Sequence, residues 1–535
     1  MGTRVNNYFS RVYGIWIPLL YAVILIPLFF LHDTFEEWDG VMQFFAGREI
    51  LTGSGYNGWT SHFWPPLYSL LIGIGSLFIP GFEAAKLISI IASILLLYVA
   101  YEFAMELSNE IKVGLLTQLF LILNPLYVIS SFQAENHMLD SFFFVFGLLL
   151  FLKSLKKPNN KTFFVTGLIC GFAGLTRYTS YTLVPIEIIV LFLFLDHKKS
   201  IKYSLMLVFG FTLINLPWWY YNTIINGSPL HSWQYLNIGS GVSQMINISP
   251  EKWWYSEQSK FNGILDIISA MPFAYFKNFA LNVIKSGKWL VVSAGVLAPF
   301  TIPAIFKSCI TLKPEIVLTL LGLLTLFVAL VSQAFVFDQV FLSWSVVMTV
   351  LSVMFLLEFV GMCQNQYQFL VRCRLVILVI VSLSVAGLAL TSYRIVSYIN
   401  DKNDGGQLAD NALVTKAIRK YDPNIETKYI MAINPARAYY AGSKFLMIPL
   451  YYQGTVEGLV AYEGLSERVK TFAPKYPSVV ANSDLRADYL IYDIGVQQHL
   501  PHFSYLLNPS SDKIPKNFRV VYQSSQAVVY EIIWR

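Results

Sequence analysis

About eleven apolar runs, several at or beyond the length needed to cross a bilayer, constrain this chain more than any other feature. They lie near 15–31, 87–104, 113–130, 138–152, 163–176, 181–195, 203–219, 289–306, 316–333, 341–360 and 376–392. A helix needs roughly 20 apolar residues to cross a hydrocarbon layer about 30 Å thick. With 55% hydrophobic and only 13% charged residues, against about 25% charged in soluble proteins, much of the chain has no water to face. A polytopic α-helical membrane protein follows. The run 15–31 is longer than a signal-peptide core and lacks a small-residue cleavage site, so it reads as the first span. The net charge of +6 is spread among short loops, which argues against a nucleic-acid partner.

Leu67 to Ile79 is set apart. It follows Pro65-Pro66, ends at Pro80-Gly81, and at about thirteen residues suits an interfacial or re-entrant helix better than a span. With it excluded, Lys and Arg fall consistently on one side: Arg4 and Arg11, then Lys112, then Lys153 to Lys161, Lys198 to Lys202, Lys307 and Lys313, and Arg372 with Arg374. The positive-inside rule makes that side cytoplasmic. Segment 32–86, the turn at Glu135, segment 220–288 and everything after 393 are then expected outside, with the N-terminus inside. Cys170, Cys309, Cys363 and Cys373 all miss the expected outer segments, so no external disulfide and no Cys-x-x-Cys pattern is available. Gly167, Gly171 and Gly174 suit close packing of 163–176 against a neighbouring helix.

After Tyr393 the character changes. Asp401 to Gly406 reads as a linker. Leu408 to Tyr421 has helical spacing, and 429–433, 489–492, 519–522 and 528–532 read as strands. The expected division is a membrane domain over 1–398 and a soluble extracytoplasmic α/β domain over 399–535.

The ionisable groups beside the spans are the chemical candidates. The first outer segment carries Asp39, followed by an amphipathic stretch from Val41 to Leu51 that includes Arg48, and then His62 and Pro65-Pro66-Leu67-Tyr68. Asp39 reads either as a helix cap or as a catalytic carboxylate at lipid-headgroup level. The second outer turn groups Glu135, His137 and Asp140, which reads either as an exposed turn with a capping residue or as a functional cluster, since charges at membrane depth are costly. Glu135 and His137 alone, two residues apart, do not make a metal pair. Arg177 closes the fifth run, where a guanidinium either snorkels or holds a phosphate. Pro217-Trp218 to Asn222, before Gly227, reads as an aromatic interface belt, and Trp253-Trp254-Tyr255 as an anchor or a sugar platform.

In this order the motifs resemble the GT-C superfamily, in the branch of protein O-mannosyltransferases and lipid A aminoarabinose transferases (glycosyltransferase family 39 and relatives). The resemblance rests on the Asp after the first span, Pro-Pro-Leu-Tyr at 65–68 and Asn124-Pro125 before Glu135. Leu-Thr-Arg-Tyr at 175–178 and Pro-Trp with Asn222 and Gly227 complete it. It covers roughly residues 15–240, with a looser continuation. The aminoarabinose transferases place an acidic–basic pair where this chain has Phe63-Trp64. Relatives often carry Arg at the position of Tyr221, and a basic residue near Asp338-Gln339.

The resemblance implies an inverting glycosyltransferase that uses a polyprenyl-phosphate sugar donor and a lipid, glycan or protein acceptor. Asp39 would be the general base and Glu135 the second acidic residue. Arg177, with Arg48 and a lysine of 220–288 as further candidates, would neutralise the departing phosphate. His62, Tyr68, His137, Asp140 and Asn222 complete the expected substrate-binding set. No cofactor is certain; a divalent metal is compatible, but no metal ligands are assigned. A secondary transporter or lipid flippase is the alternative. It calls for ionisable groups near the midplane, where Glu187 is the main example, and for an internal repeat that this sequence lacks.

Overall fold

The computed structural model describes the chain except residues 1, 36, 54, 57, 256, 311–312, 333–337, 367–374, 404–406, 450–451, 462–485 and 535. Helix α1 (Gly2–Leu31) leads into three short helices, α2 (Trp38–Leu51), α3 (Gly58–Phe63) and α4 (Leu67–Gly75). A bundle follows: α5 (Gly81–Ser108), α6 (Ile111–Ile122), α7 (Pro125–Phe132), α8 (His137–Lys156), α9 (Asn160–Thr176), a 3₁₀ turn (Tyr178–Thr182), α10 (Leu183–Phe194) and α11 (His197–Asn226). Helices α12 (Gln234–Gln244), α13 (Pro250–Tyr255) and α14 (Ile264–Ala270) precede α15 (Pro272–Ala294), α16 (Ala298–Ile310), α17 (Pro314–Val331), α18 (Leu342–Gln366) and α19 (Leu375–Asn403).

Among the described residues, eight helical stretches are long and apolar enough to cross a membrane. The α6–α7 pair, bent by 67°, makes a ninth. The 17-residue α9 and the stretch Tyr178–Phe194 account for the other two of the eleven runs. Two boundaries differ from expectation. The run 113–130 is not one straight span. Pro125 opens α7 and the Asn124 side chain accepts a hydrogen bond from the Leu126 N–H at 3.0 Å, so the helix stops and restarts there. The eighth run begins earlier than expected, because the helical stretch extends over Pro272–Ile310 and takes in the end of the segment read as the third outer loop.

Small residues set the closest approaches. A Cβ on Gly167 would lie 2.1 Å from the Leu207 carbonyl oxygen, and one on Gly210 would lie 2.3 Å from that of Phe164. Helices α9 and α11 therefore pack backbone to backbone, the role expected of the glycines in 163–176. Helix α2 corrects a different expectation. It is buried from Gly40 to Gly47 rather than amphipathic, with Arg48 and Leu51 exposed. A helix apolar on most of its circumference belongs inside the protein, and this one is enclosed by α4, α5 and the C-terminal domain.

The C-terminal domain contains α20 (Gln407–Tyr421), β1 (Tyr429–Ala432), α21 (Ala436–Ala441), β2 (Lys444–Met447), α22 (Val456–Val460), β3 (Tyr489–Asp493), α23 (Ile494–His499), β4 (Phe518–Gln523) and β5 (Ala527–Ile532). The sheet order is β2-β1-β3-β5-β4, parallel across the first three strands and antiparallel across the rest. All four expected strands are present, and β2 is an addition. Helix α19 continues through Asn403, where a linker was expected; Gly405, Gly406, Arg372, Cys373 and Arg374 lie outside the described residues.

One sheet face, through Ile430, Phe445 and Ile491, joins the core of the helical bundle. The other, through Met431, Leu446 and Tyr492, packs with Trp233, Leu236 and Trp253. Hydrogen bonds fix the domain over α2. The Trp38 indole donates to the Ile433 carbonyl at 3.4 Å. The Phe35 and Phe82 N–H groups donate to the hydroxyls of Tyr440 and Tyr439 at 2.5 and 3.1 Å.

Candidate active site

Asp39 stands in the first turn of α2, where a carboxylate complements the helix dipole. The next residue, Gly40, decides where that turn goes. A Cβ there would lie 2.0 Å from the Ala134 carbonyl oxygen, so only glycine lets α2 press against the α7–α8 turn. That contact brings Asp39 beside Glu135. The Ser89 hydroxyl secures the turn from behind by donating to the Glu135 carbonyl at 3.2 Å. Arg177 enters from a third segment. At the end of α9 its backbone becomes extended (φ −149°, ψ 138°), which breaks the helix before the 3₁₀ turn.

His137 lies between Glu135 and Arg177. A guanidinium only donates, so the His137 Nδ1 that receives Arg177 Nη1 must carry the lone pair. The imidazole proton then sits on Nε2, which faces Glu135 Oε2 at 3.3 Å. The contacts thus specify one neutral tautomer, linking carboxylate, imidazole and guanidinium in a line. Asp140, also buried, accepts the Ser180 hydroxyl at 2.6 Å and feels the field of Arg177.

Asp39 is set apart within this group. Its carboxylate accepts no hydrogen bond or ion pair among the described residues. Burial pushes its pKa from 3.8 up to about 7, the nearby Glu135 carboxylate adds to the rise, and Arg177 opposes it. Desolvation and a like charge both disfavour the ionised form, while the cation favours it. The result is a carboxylate that titrates near neutrality with its lone pairs unengaged, the state suited to receiving a proton.

Five expected residues therefore come together: Asp39, Glu135, His137, Asp140 and Arg177. Tyr68 is buried behind the Glu135 turn, its hydroxyl donating to the Ala85 carbonyl at 3.3 Å. His62 and Asn222 form a neighbouring group. His62 Nδ1 lies 2.8 Å from Nε2 of His231, and its ring stacks on Trp233 at 3.7 Å. Asn222 donates to the Pro229 carbonyl at 3.4 Å and accepts from Asn226 at 2.9 Å, fixing the start of the loop that carries His231. Tyr178, next to Arg177, donates to the His231 carbonyl at 3.3 Å and joins the two groups.

Arg48 is elsewhere. Nine residues after Asp39 it points to the opposite side of α2, roughly 13 Å along the axis. It is exposed, with its guanidinium 5.8 Å from the Phe44 ring centre. Among the described residues, no group of three or more His, Cys, Asp or Glu is placed to hold a metal ion. Sequence reasoning missed Gly40, His231 and Gln43. Gln43 lies one turn after Asp39, and its buried amide has no hydrogen-bond partner among the described residues. The i,i+4 spacing from Asp39 was the available signal for it.

Comparison with known proteins agrees with this architecture. The profile of the dolichyl-phosphate-mannose-protein mannosyltransferase family matches residues 64–221, which include Glu135, His137, Asp140 and Arg177 but begin after Asp39. No curated protein sequence matches the chain. Two crystal structures of ArnT from Cupriavidus metallidurans superpose with a TM-score of 0.61 over 96% of this chain and 97% of that one. Identity is 13% for the apo form and 14% for the form bound to undecaprenyl phosphate. The Archaeoglobus fulgidus oligosaccharyltransferase in its apo form gives 0.56 at 13% identity, over 92% of this chain and 70% of that one. The fold is shared with these proteins.

Proposed function

We propose that this chain, a polytopic membrane protein of the GT-C superfamily, transfers a sugar from a polyprenyl-phosphate donor to an acceptor hydroxyl with inversion, on the outer face of the membrane. One observation carries the proposal: the unengaged Asp39 carboxylate, titrating near 7, lies within the electrostatic reach of Arg177. The ArnT that shares this fold binds undecaprenyl phosphate, which supports a lipid-phosphate donor here.

In the proposed reaction the acceptor oxygen attacks the anomeric carbon while Asp39 takes its proton. The bond from that carbon to the phosphate oxygen breaks from the opposite side, and its electron pair leaves on the polyprenyl phosphate. That leaving group is already a stable anion, so a fixed cation serves in place of a proton donor. Arg177 supplies the cation, and its contact with His137 limits its freedom. Glu135, through the same imidazole, holds the line and keeps the Asp39 proton affinity high.

The test is turnover of a polyprenyl-phosphate sugar by the purified chain in which Asp39→Asn is the only change. Loss of about 100-fold or more in kcat is expected for a general base. Undiminished turnover would remove Asp39 from that role.

A further inference from the structure

We propose that Gln43 forms a subsite for a hydroxyl of the donor sugar, immediately beside Asp39. The proposal rests on the glycosyltransferase reading and deepens it. The observation is an amide with nothing to do in the free protein. Gln43 is 1% exposed, and both Oε1 and Nε2 are buried without a hydrogen-bond partner among the described residues. A carboxamide offers two donor hydrogens and an acceptor oxygen, and leaving both ends unpaired away from water lowers the stability of the fold. Methionine has similar length and no such penalty, so packing alone does not explain the amide.

Helix geometry gives its direction. Gln43 follows Asp39 by four residues and lies on the same face of α2. Helical side chains lean toward the N-terminus and cover the turn before their own Cα, so the amide reaches back over the Asp39 turn. Further along this face, Ala46 packs with Tyr56 and Trp218, with Ile50 and Tyr221 at the edge of that cluster. The rings of Trp218 and Tyr221 are stacked at 5.6 Å. The face thus runs from a carboxylate through an unused amide to a wall of aromatic rings.

This sequence of groups selects the ligand class. A phosphate offers only acceptor oxygens and would turn an anion toward the Gln43 carbonyl. A hydroxyl donates and accepts, and so uses both ends of the amide. A pyranose also brings apolar C–H faces for the aromatic wall. The donor sugar is the hydroxyl-bearing group whose anomeric carbon must lie next to Asp39.

The experiment uses the full chain in lipid nanodiscs, as wild type, Gln43→Met and Gln43→Asn. The probes are undecaprenyl phosphate alone and the undecaprenyl-phosphoryl sugar that the wild type turns over, chosen from a panel of hexose and pentose forms. For Gln43→Met the expected result is a thermal midpoint raised by a few degrees. Its affinity for the glycolipid falls about tenfold or more, while its affinity for undecaprenyl phosphate stays within about twofold. Gln43→Asn, with the amide withdrawn by one methylene, should lose glycolipid affinity without the thermal gain.

Unchanged glycolipid affinity in both variants, or equal loss for the two lipids, overturns the subsite. So does a lowered midpoint in Gln43→Met, which marks a structural role. A rise confined to the acceptor KM refutes the assignment to the donor. Asp39→Asn separates this inference from its premise: surviving turnover there removes the base but leaves the Gln43 binding result intact. A panel from which the wild type turns over nothing removes both.

Discussion

Replacing Asp39 with Asn should abolish turnover and, above neutral pH, make the protein more stable. The magnitude follows from the pKa. Burial and Glu135 raise the Asp39 carboxyl from 3.8 to about 7, which at about 1.4 kcal/mol per tenfold in proton affinity comes to about 4 kcal/mol. Asp39 is partly exposed, and allowing for solvent leaves about 2 to 4 kcal/mol. The sign is set by linkage. The folded state holds this proton more tightly than the unfolded chain does. Its contribution to stability is therefore complete below pH about 4 and is lost as pH rises through about 7. Asn carries no charge at any pH. The two proteins should unfold at similar temperatures near pH 4, with Asn the more stable by a growing margin up to about pH 8. The assay is thermal unfolding of both proteins in the same detergent at pH 4.5, 6, 7 and 8.5. Kinetics give a second reading: wild-type kcat/KM should fall nearly tenfold per pH unit below 7, as the fraction of ionised base falls. A stability difference independent of pH, or an Asn variant less stable at pH 8.5, would refute the half-buried, unengaged carboxylate on which the mechanism depends.

The neighbouring charges should move this titration in opposite directions. Glu135→Gln removes a like charge and carries the acid limb of kcat/KM to lower pH; Arg177→Gln removes the opposing cation, carries it to higher pH and weakens donor binding. A limb unmoved in both variants would show that Asp39 does not sense them. Gly40→Ala places a methyl against the Ala134 carbonyl, so we expect a loss of about 1–3 kcal/mol in stability and a disproportionate loss of kcat, read by unfolding and turnover of the same preparation. Lys86→Met removes the ammonium that donates to the Phe29 and His32 carbonyls at 2.7 and 2.6 Å. It should lower the unfolding midpoint while leaving the pH of half-maximal kcat/KM in place.

Asp39, Glu135, His137, Asp140 and Arg177 were legible as candidates because each lies beside a long apolar run, but a helix cap, an exposed turn or a snorkelling guanidinium explains such residues equally well, and only the order of motifs shared with the GT-C superfamily gave them roles. Their convergence was not legible. It depends on Gly40 meeting Ala134 and on the extended backbone at Arg177, neither of which has a periodicity. The break between α6 and α7 was written in Asn124-Pro125, a cap followed by a proline in the first helical position, but continuous hydropathy on both sides masked it. Strand β2 was invisible for another reason: Lys444-Phe445-Leu446-Met447 is four residues long and gains its strand character only by pairing with β1.

Helix α2 shows why the fold and the site were not equally legible. Its residues look amphipathic only if one side is assumed to meet water. In the structure that side is closed by the C-terminal domain, through contacts such as Trp38 with Ile433 and Phe44 with Tyr439, some 400 residues away in sequence. Enclosure has a chemical consequence. The same burial that lifts the Asp39 proton affinity leaves the Gln43 amide without water, so both groups sit in states that are unfavourable until something is bound. Other buried amides are at least half used: Asn124 and Gln118 donate to backbone carbonyls, as the Lys86 ammonium does, although the Gln118 Oε1 accepts nothing among the described residues. Gln43 differs from these amides in that neither end is used among the described residues, and the glycosyltransferase reading accounts for it by placing the reacting sugar there.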